Sequence, residues 1–269
     1  MSRRLRRRGE RMTGRTLQVR TRSVDAAGND NVRAVLRDWD AAAAAVVVCD
    51  MWDAHHCLSA ARRVEEMAPR VNEVLSALRG GGALIIHAPA DCMDFYRDTP
   101  ARDRAASAPH VPASAAFDWN DWEPAESWTL PEYLTTPGPC SCESTAPCNN
   151  GSPPYPWTRQ TPEIEVCAED AVTDDGQEMF NLLEERRITD VVVMGVHTNI
   201  CVLSRSYGIR QLVFLGKRPV LCRDLTDAFH RDPMGHTSGT EQIIAHIERM
   251  WCPTVTSDQL AGGMPFEFA

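Results

Sequence analysis

Residues 191–212 read VVVMGVHTNICVLSRSYGIRQL, and this stretch decides the architecture. Val191–Met194 is a short continuous apolar run, which suits a parallel strand buried on both faces. Gly195 supplies a turn. His197, Thr198 and Asn199 follow, and the pattern then predicts a helix from near Ile200 to about Leu215, stopped at Gly216. A buried strand that passes through a glycine turn into a helix is one step of a β-α-β chain.

Working outward, the same alternation recurs. Ala44–Cys49 (AAVVVC) and Ala83–Ala88 (ALIIHA) read as buried strands. Between them Leu58, Ala61, Val64, Val71, Leu75 and Leu78 keep a helical spacing, and Gly80–Gly82 ends it. Downstream come a short strand at Ile164–Val166, a helix capped by Asp174 or Asp175 and running to about Arg187, and a strand at Pro219–Cys222. Ser238 and Glu241 form an S-x-x-E pattern that opens a helix to about Met250, and Thr254–Thr256 is a last strand. Six strands alternating with helices predict a doubly wound six-stranded parallel α/β sheet with helices on both faces, a Rossmann-like three-layer sandwich.

The chain has 269 residues, a net charge of −9 and 43% hydrophobic residues. That is enough for a large core, read here as one domain over residues 23–269. Residues 1–22 form a basic tail expected to be flexible, and Met12 is an alternative start to Met1. No apolar core follows the basic run, so a signal peptide is not expected. The acidic balance argues against nucleic-acid binding. No apolar run approaches the ~20 residues of a membrane span. A cytoplasmic protein, assembled as a homo-oligomer (dimer or tetramer), is the expectation.

Residues 89–162 break the pattern. The stretch is rich in Pro, Ser and Asp and carries Trp119, Trp122, Trp128 and Trp157. A long structureless segment in a compact domain is usually functional or disordered, and four indoles argue for order. It reads as a cover over the sheet edge, with a subunit contact as the rival role.

In open α/β sheets, ligands bind beyond the carboxyl ends of the strands. Asp50, Trp52, Asp53, His55 and His56 follow the first strand, His87 lies at the end of the second, and Cys201 follows VVVM. At a strand–helix elbow the free N–H groups favour a thiolate and can hold an oxyanion. Asp50 is placed to take the thiol proton, and Trp52 to form a pocket wall. Asp53, His55 and His87 are a conceivable metal set, although pocket or structural histidines fit the spacing better.

Ten cysteines would suit a disulfide protein, but Cys49, Cys167, Cys201 and Cys222 sit in or beside apolar runs, as reduced core cysteines do. Cys140, Cys142 and Cys148 form C-x-C-x5-C. Free thiols are the reading preferred to a zinc knot or a disulfide, and a fourth ligand such as Cys92 or His110 is not fixed by sequence.

The run GVHTNICV resembles the G-x-x-T-x-x-C-V motif of the isochorismatase-like cysteine hydrolases, and the apolar strand ending in Asp50 resembles that family's first catalytic aspartate. The likeness spans roughly residues 40–90 and 160–258. The resemblance implies a six-stranded parallel sheet and hydrolysis of a C–N bond in a small amide, imide or carbamoyl compound through a thioester. By it Cys201 is the nucleophile and Asp50 the base. The amides of His197 and Cys201 form the oxyanion hole, next to a cis Val196–His197 peptide, and Trp52, His55, His56, His87 and Thr198 line the substrate pocket. No cofactor is required, and a divalent metal at Asp53, His55 and His87 is the minor alternative.

The family pairs its aspartate and cysteine with a lysine. This chain has one lysine, Lys217, sixteen residues past Cys201. At 1.5 Å per helical residue that is ~24 Å away, too far to serve. Arg159 is the nearest substitute, with His55, His56 or His87 as alternatives. The missing lysine also leaves open a binding protein on this fold. A vinyl-ether hydrolase, which needs no thiol, is a third possibility. Selective alkylation of Cys201 separates these readings.

Overall fold

The computed structural model describes residues 14–113, 130, 132–135, 138, 140–142, 148, 153–230 and 236–269. In chain order the strands are β1 (Gly14–Val24), β2 (Asp30–Asp40), β3 (Ala44–Cys49), β4 (Leu84–Ala88), β5 (Ala171–Val172), β6 (Asp190–Val196), β7 (Arg218–Asp227) and β8 (Thr254–Val255). The helices are α1 (Leu58–Gly80), α2 (Met93–Tyr96), α3 (Pro100–Ala106), α4 (Glu132–Thr135), α5 (Gly176–Glu185), α6 (Cys201–Ser204), α7 (Ile209–Phe214), α8 (His236–Met250) and α9 (Ser257–Ala261).

They build one sheet in the order β2-β1-β8-β7-β6-β3-β4-β5. The six strands from β8 to β5 are parallel, and β3 sits between β6 and β4. Side chains alternate between two cores, as the two-residue period of a strand requires. Ala45, Val47 and Cys49 share one core with Met179, Leu182 and Leu183 of α5. Ala44, Val46 and Val48 share the other with Val64, Met67, Val71, Leu75 and Leu78 of α1. Helices on both faces explain why β3 reads as an unbroken apolar run.

The sheet has eight strands rather than six. The two extra strands, β1 and β2, form an antiparallel hairpin joined to β8 at Arg20↔Thr254. Only Leu17, Val19 and Trp39 of this hairpin are buried. Its remaining positions are largely charged or polar, which is why 14–22 reads as tail. Those residues belong to β1, and residues 1–13 of the expected tail lie outside the described residues.

Three local expectations also change. Ile164–Val166 is not a strand: Ile164 closes a turn on Thr161 and buries against the α1 core, and the sheet edge is β5. The helix expected from Ile200 to Leu215 divides into α6 and α7. Arg205 leaves helical geometry at ψ 159°, and Gly208 N–H turns back to the Arg205 carbonyl. Ser238 and Glu241 lie inside α8, which already includes His236, so they do not cap its start. By contrast, the Asp175 carboxylate accepts from Glu178 N–H and caps α5.

Candidate active site

Four strand ends converge on one edge. The chain leaves β3 at Asp50, which sits at φ +47° and is fully buried. Asp50 N–H donates to the Ala88 carbonyl, and its Oδ1 accepts from Ala90 N–H at 2.7 Å. The end of β4 therefore fixes the carboxylate. The Tyr207 hydroxyl donates to the same Oδ1 at 3.5 Å.

The end of β6 brings Cys201 to this carboxylate. Gly195 has φ +106°, and a Cβ there would fall 2.0 Å from the Cys49 carbonyl oxygen, so only glycine lets β6 run this close to β3. The Val196–His197 peptide is cis. Cys201 then opens α6, where the Asp50 carboxylate and the Arg205 guanidinium both act on its thiol. Arg205 Nε stands 4.0 Å from Asp50 Oδ2.

Burial sets the electrostatics. It pushes the Asp50 carboxyl up to about 6, against the opposing pull of Arg205 and the Cys201 hydrogen bond. Burial also raises the Cys201 thiol well above its usual range, and the facing carboxylate adds to the rise. The resting thiolate expected at the elbow is thus a resting thiol. The four-residue α6 has too short a dipole to offset desolvation. Burial opposes the Arg205 charge, but the facing Cys201, Tyr207 and Asp50 more than compensate and raise its pKa. Arginine stays charged throughout and exchanges no proton.

Arg205 is the cation that sequence reasoning missed. It lies four residues after Cys201, where α6 ends, and that nearness in sequence was the available signal. Arg159 does not take this role. It lies 3.8 Å from Asp53 Oδ2 and stacks over Phe95. Lys217 is held far from the site by the Ile188 carbonyl and Glu184.

The other expected residues separate into a wall and a scaffold. Trp52 is buried, donates to the Ala90 carbonyl and stacks on Trp157 with centroids 4.1 Å apart. His55, His56, His197 and Phe229 continue this aromatic wall, with His55 Nε2 3.4 Å from His197 Nε2. Burial pulls His55 down to about 2 and His197 to about 4, so both are neutral.

His87 is fully buried, bonded to Gln160 at 3.0 Å and Asp170 at 3.1 Å. Thr198 is also buried, against Thr226 at 2.7 Å. Both are scaffold rather than pocket lining. Asp53 accepts from Thr158 N–H and Oγ–H, which fastens the returning end of the excursion beside the site. Among the described residues Asp53, His55 and His87 do not gather as a metal set.

The excursion also returns over the nucleophile loop. The Asn199 side-chain amide donates to the Leu134 carbonyl of α4 and to the Phe229 carbonyl, and its oxygen accepts from Phe229 N–H. Trp119, Trp122 and Trp128 lie outside the described residues. Cys201 is 4% exposed. A cavity of about 520 Å³ between β7, α8 and residues 265–268, and another of about 380 Å³ beside α2 and α3, are not lined by Cys201 or Asp50.

All ten cysteines are described, and none is in a disulfide. Cys140, Cys142 and Cys148 meet Cys57, while Cys92 and the exposed His110 stand apart from them. No helix among the described residues is long and apolar enough to cross a membrane.

With this geometry in place, comparison with known proteins adds the following. No protein-family model matches the chain, and no curated protein matches it. Solved structures do resemble it. A cysteine hydrolase from Pseudomonas syringae pv. phaseolicola 1448A is 13% identical over 83% of this chain and 92% of its own, with a TM-score of 0.46. An isochorismatase-like hydrolase from Alkaliphilus metalliredigens is 14% identical over 83% and 98%, with a TM-score of 0.46. An isochorismatase family protein from Burkholderia thailandensis is 15% identical over 82% and 97%, with a TM-score of 0.48.

Proposed function

We propose that the chain is a cysteine-dependent hydrolase of the isochorismatase-like superfamily, acting on a C–N bond of a small amide, imide or carbamoyl compound. One observation carries this reading: the buried Cys201 thiol lies under the influence of both the fully buried Asp50 carboxylate and the half-buried Arg205 guanidinium. A structural cysteine needs neither partner, and this trio matches what an activated thiol requires.

In the proposed reaction Asp50, ionised above about pH 6, takes the thiol proton as sulfur attacks the carbonyl carbon. The oxyanion forms against the amides of His197 and Cys201. Asp50 returns the proton to the departing amine, leaving a thioester. Asp50 then deprotonates a water that attacks the thioester, the acid leaves, and the thiol is restored. Arg205 holds fixed positive charge beside thiol and carboxylate throughout. The aromatic wall of Trp52, Trp157 and the neutral His55 favours an uncharged planar substrate.

A screen of small amides and ureas for ammonia release tests the proposal, with Cys201→Ala as control. Release that survives in Cys201→Ala overturns the cysteine mechanism. Selective alkylation of Cys201 that substrate suppresses supports it.

A further inference from the structure

Outside the active site, four sulfurs meet at the start of α1. Those of Cys57, Cys140, Cys142 and Cys148 all lie within 4.8 Å of one another. The Cys57 sulfur is 3.8 Å from Cys140 and 3.5 Å from Cys142, and Cys140 is 3.5 Å from Cys148. A disulfide needs about 2.05 Å, so these are not bonded pairs. A tetrahedron of sulfurs at about 2.3 Å from a central zinc has edges of about 3.8 Å. The observed separations fit that figure.

The surroundings suit sulfurs that carry negative charge. Ser141 N–H donates to Cys57 at 3.3 Å, Leu58 N–H to Cys148 at 3.3 Å, and Cys142 N–H to Cys140 at 3.2 Å. Cys148 N–H also donates to Cys140 at 3.4 Å. Leu58 and Ser59 open the 23-residue α1, where amides have no partner within the helix and the dipole favours anions. Cationic support is adjacent: Arg63 Nη2 donates to Ser141 Oγ at 2.7 Å, and Arg62 Nη2 to Ser59 Oγ at 3.1 Å.

We propose that Cys57, Cys140, Cys142 and Cys148 bind one structural zinc ion that fastens the excursion to the start of α1. Four soft sulfurs with no nitrogen or carboxylate among them select zinc over the harder divalent cations. Three ligands come from the excursion and one from the β3–α1 connection, so the ion ties the two segments together. Four thiolates leave no position for water, so the ion is a staple and not a catalyst. Its mechanical target is nearby. Cys57, Cys140 and Cys142 share an apolar cluster with Phe229, whose ring touches His55, His56 and His197.

The test is metal analysis of the full-length chain purified under reducing conditions without chelator. Wild type is expected to carry about one zinc per chain, the capacity of a single four-cysteine site. An organomercurial should release it as the four thiols react. Replacement by cobalt should give the intense visible absorption and sulfur-to-metal charge-transfer bands of tetrahedral thiolate ligation. Cys142→Ser should lose the metal at least tenfold, and Cys167→Ser, outside the cluster, should retain it. Folded wild-type chain that holds neither zinc nor cobalt overturns the proposal. So does metal retained after all four thiols have reacted, or iron in place of zinc. Because the wild-type measurements stand alone, a variant that fails to fold leaves the test intact.

Discussion

Arg205 Nε stands 4.0 Å from Asp50 Oδ2, and both groups act on the buried thiol of Cys201. The relationship follows from the break between α6 and α7. An uninterrupted helix would continue past Ser204, whereas here Arg205 turns to extended geometry and faces the carboxylate. A guanidinium cannot shuttle protons, so in the proposed reaction the proton transfers fall to Asp50.

Arg205→Gln removes fixed charge from beside the reacting sulfur. A loss of about 10²-fold in kcat/KM is expected, the scale seen when one preorganised charge-stabilising group is deleted. Arg205→Lys keeps the charge and should recover part of the rate. Equal rates in wild type and Arg205→Gln would remove the guanidinium from the mechanism.

The acidic limb of the pH profile should report Asp50. Burial places its pKa near 6, so kcat/KM should rise as pH increases through about 6 and the base form fills. Arg205 lowers the pKa of Asp50, so in Arg205→Gln the limb should move to higher pH. The high Cys201 pKa means that thiol ionisation should contribute no limb below neutrality. A rate that is flat between pH 5 and 7 would exclude Asp50 as the base.

The parallel core was legible because β3, β4 and β6 are buried on both faces and so carry unbroken apolar runs. Cys201 and Asp50 were legible for the same reason, each lying just beyond such a run. The hairpin of β1 and β2 was not, since one covered edge requires only Leu17, Val19 and Trp39 to be apolar. Arg205 was not legible because it reaches the carboxylate through the break after α6, where the pattern reads as one continuous helix. Cys57 was hidden because its three partners lie 83 to 91 residues on, beyond any local pattern.

Asp170 should matter for stability rather than turnover. Burial would raise its carboxyl, but hydrogen bonds from His87 and Arg79 hold it down at about 2. A carboxylate with a depressed folded pKa stabilises the protein above its unfolded value near 4, and that contribution fades as pH falls toward 2. Asp170→Asn should therefore cost about 3 kcal/mol at neutral pH, the usual scale for breaking a buried ion pair. Denaturant titrations across pH should show the gap between variant and wild type closing below pH 4. A gap that persists at pH 2 would place its cause elsewhere.

Asn199 tests whether the excursion supports the nucleophile. Its side chain is buried and makes three bonds, one to Leu134 of α4 and two to Phe229. Asn199→Ala strands the Phe229 amide and two carbonyls, and each unsatisfied buried group costs about 1–3 kcal/mol. It also unfastens α4 from the loop that presents Cys201. The expected result is a lower Tm and faster proteolysis between residues 130 and 150. A fall in kcat larger than the change in KM should accompany it, because the loop positions sulfur rather than binding substrate. Faster cleavage with unchanged kcat would show that the excursion rests on the site without holding it.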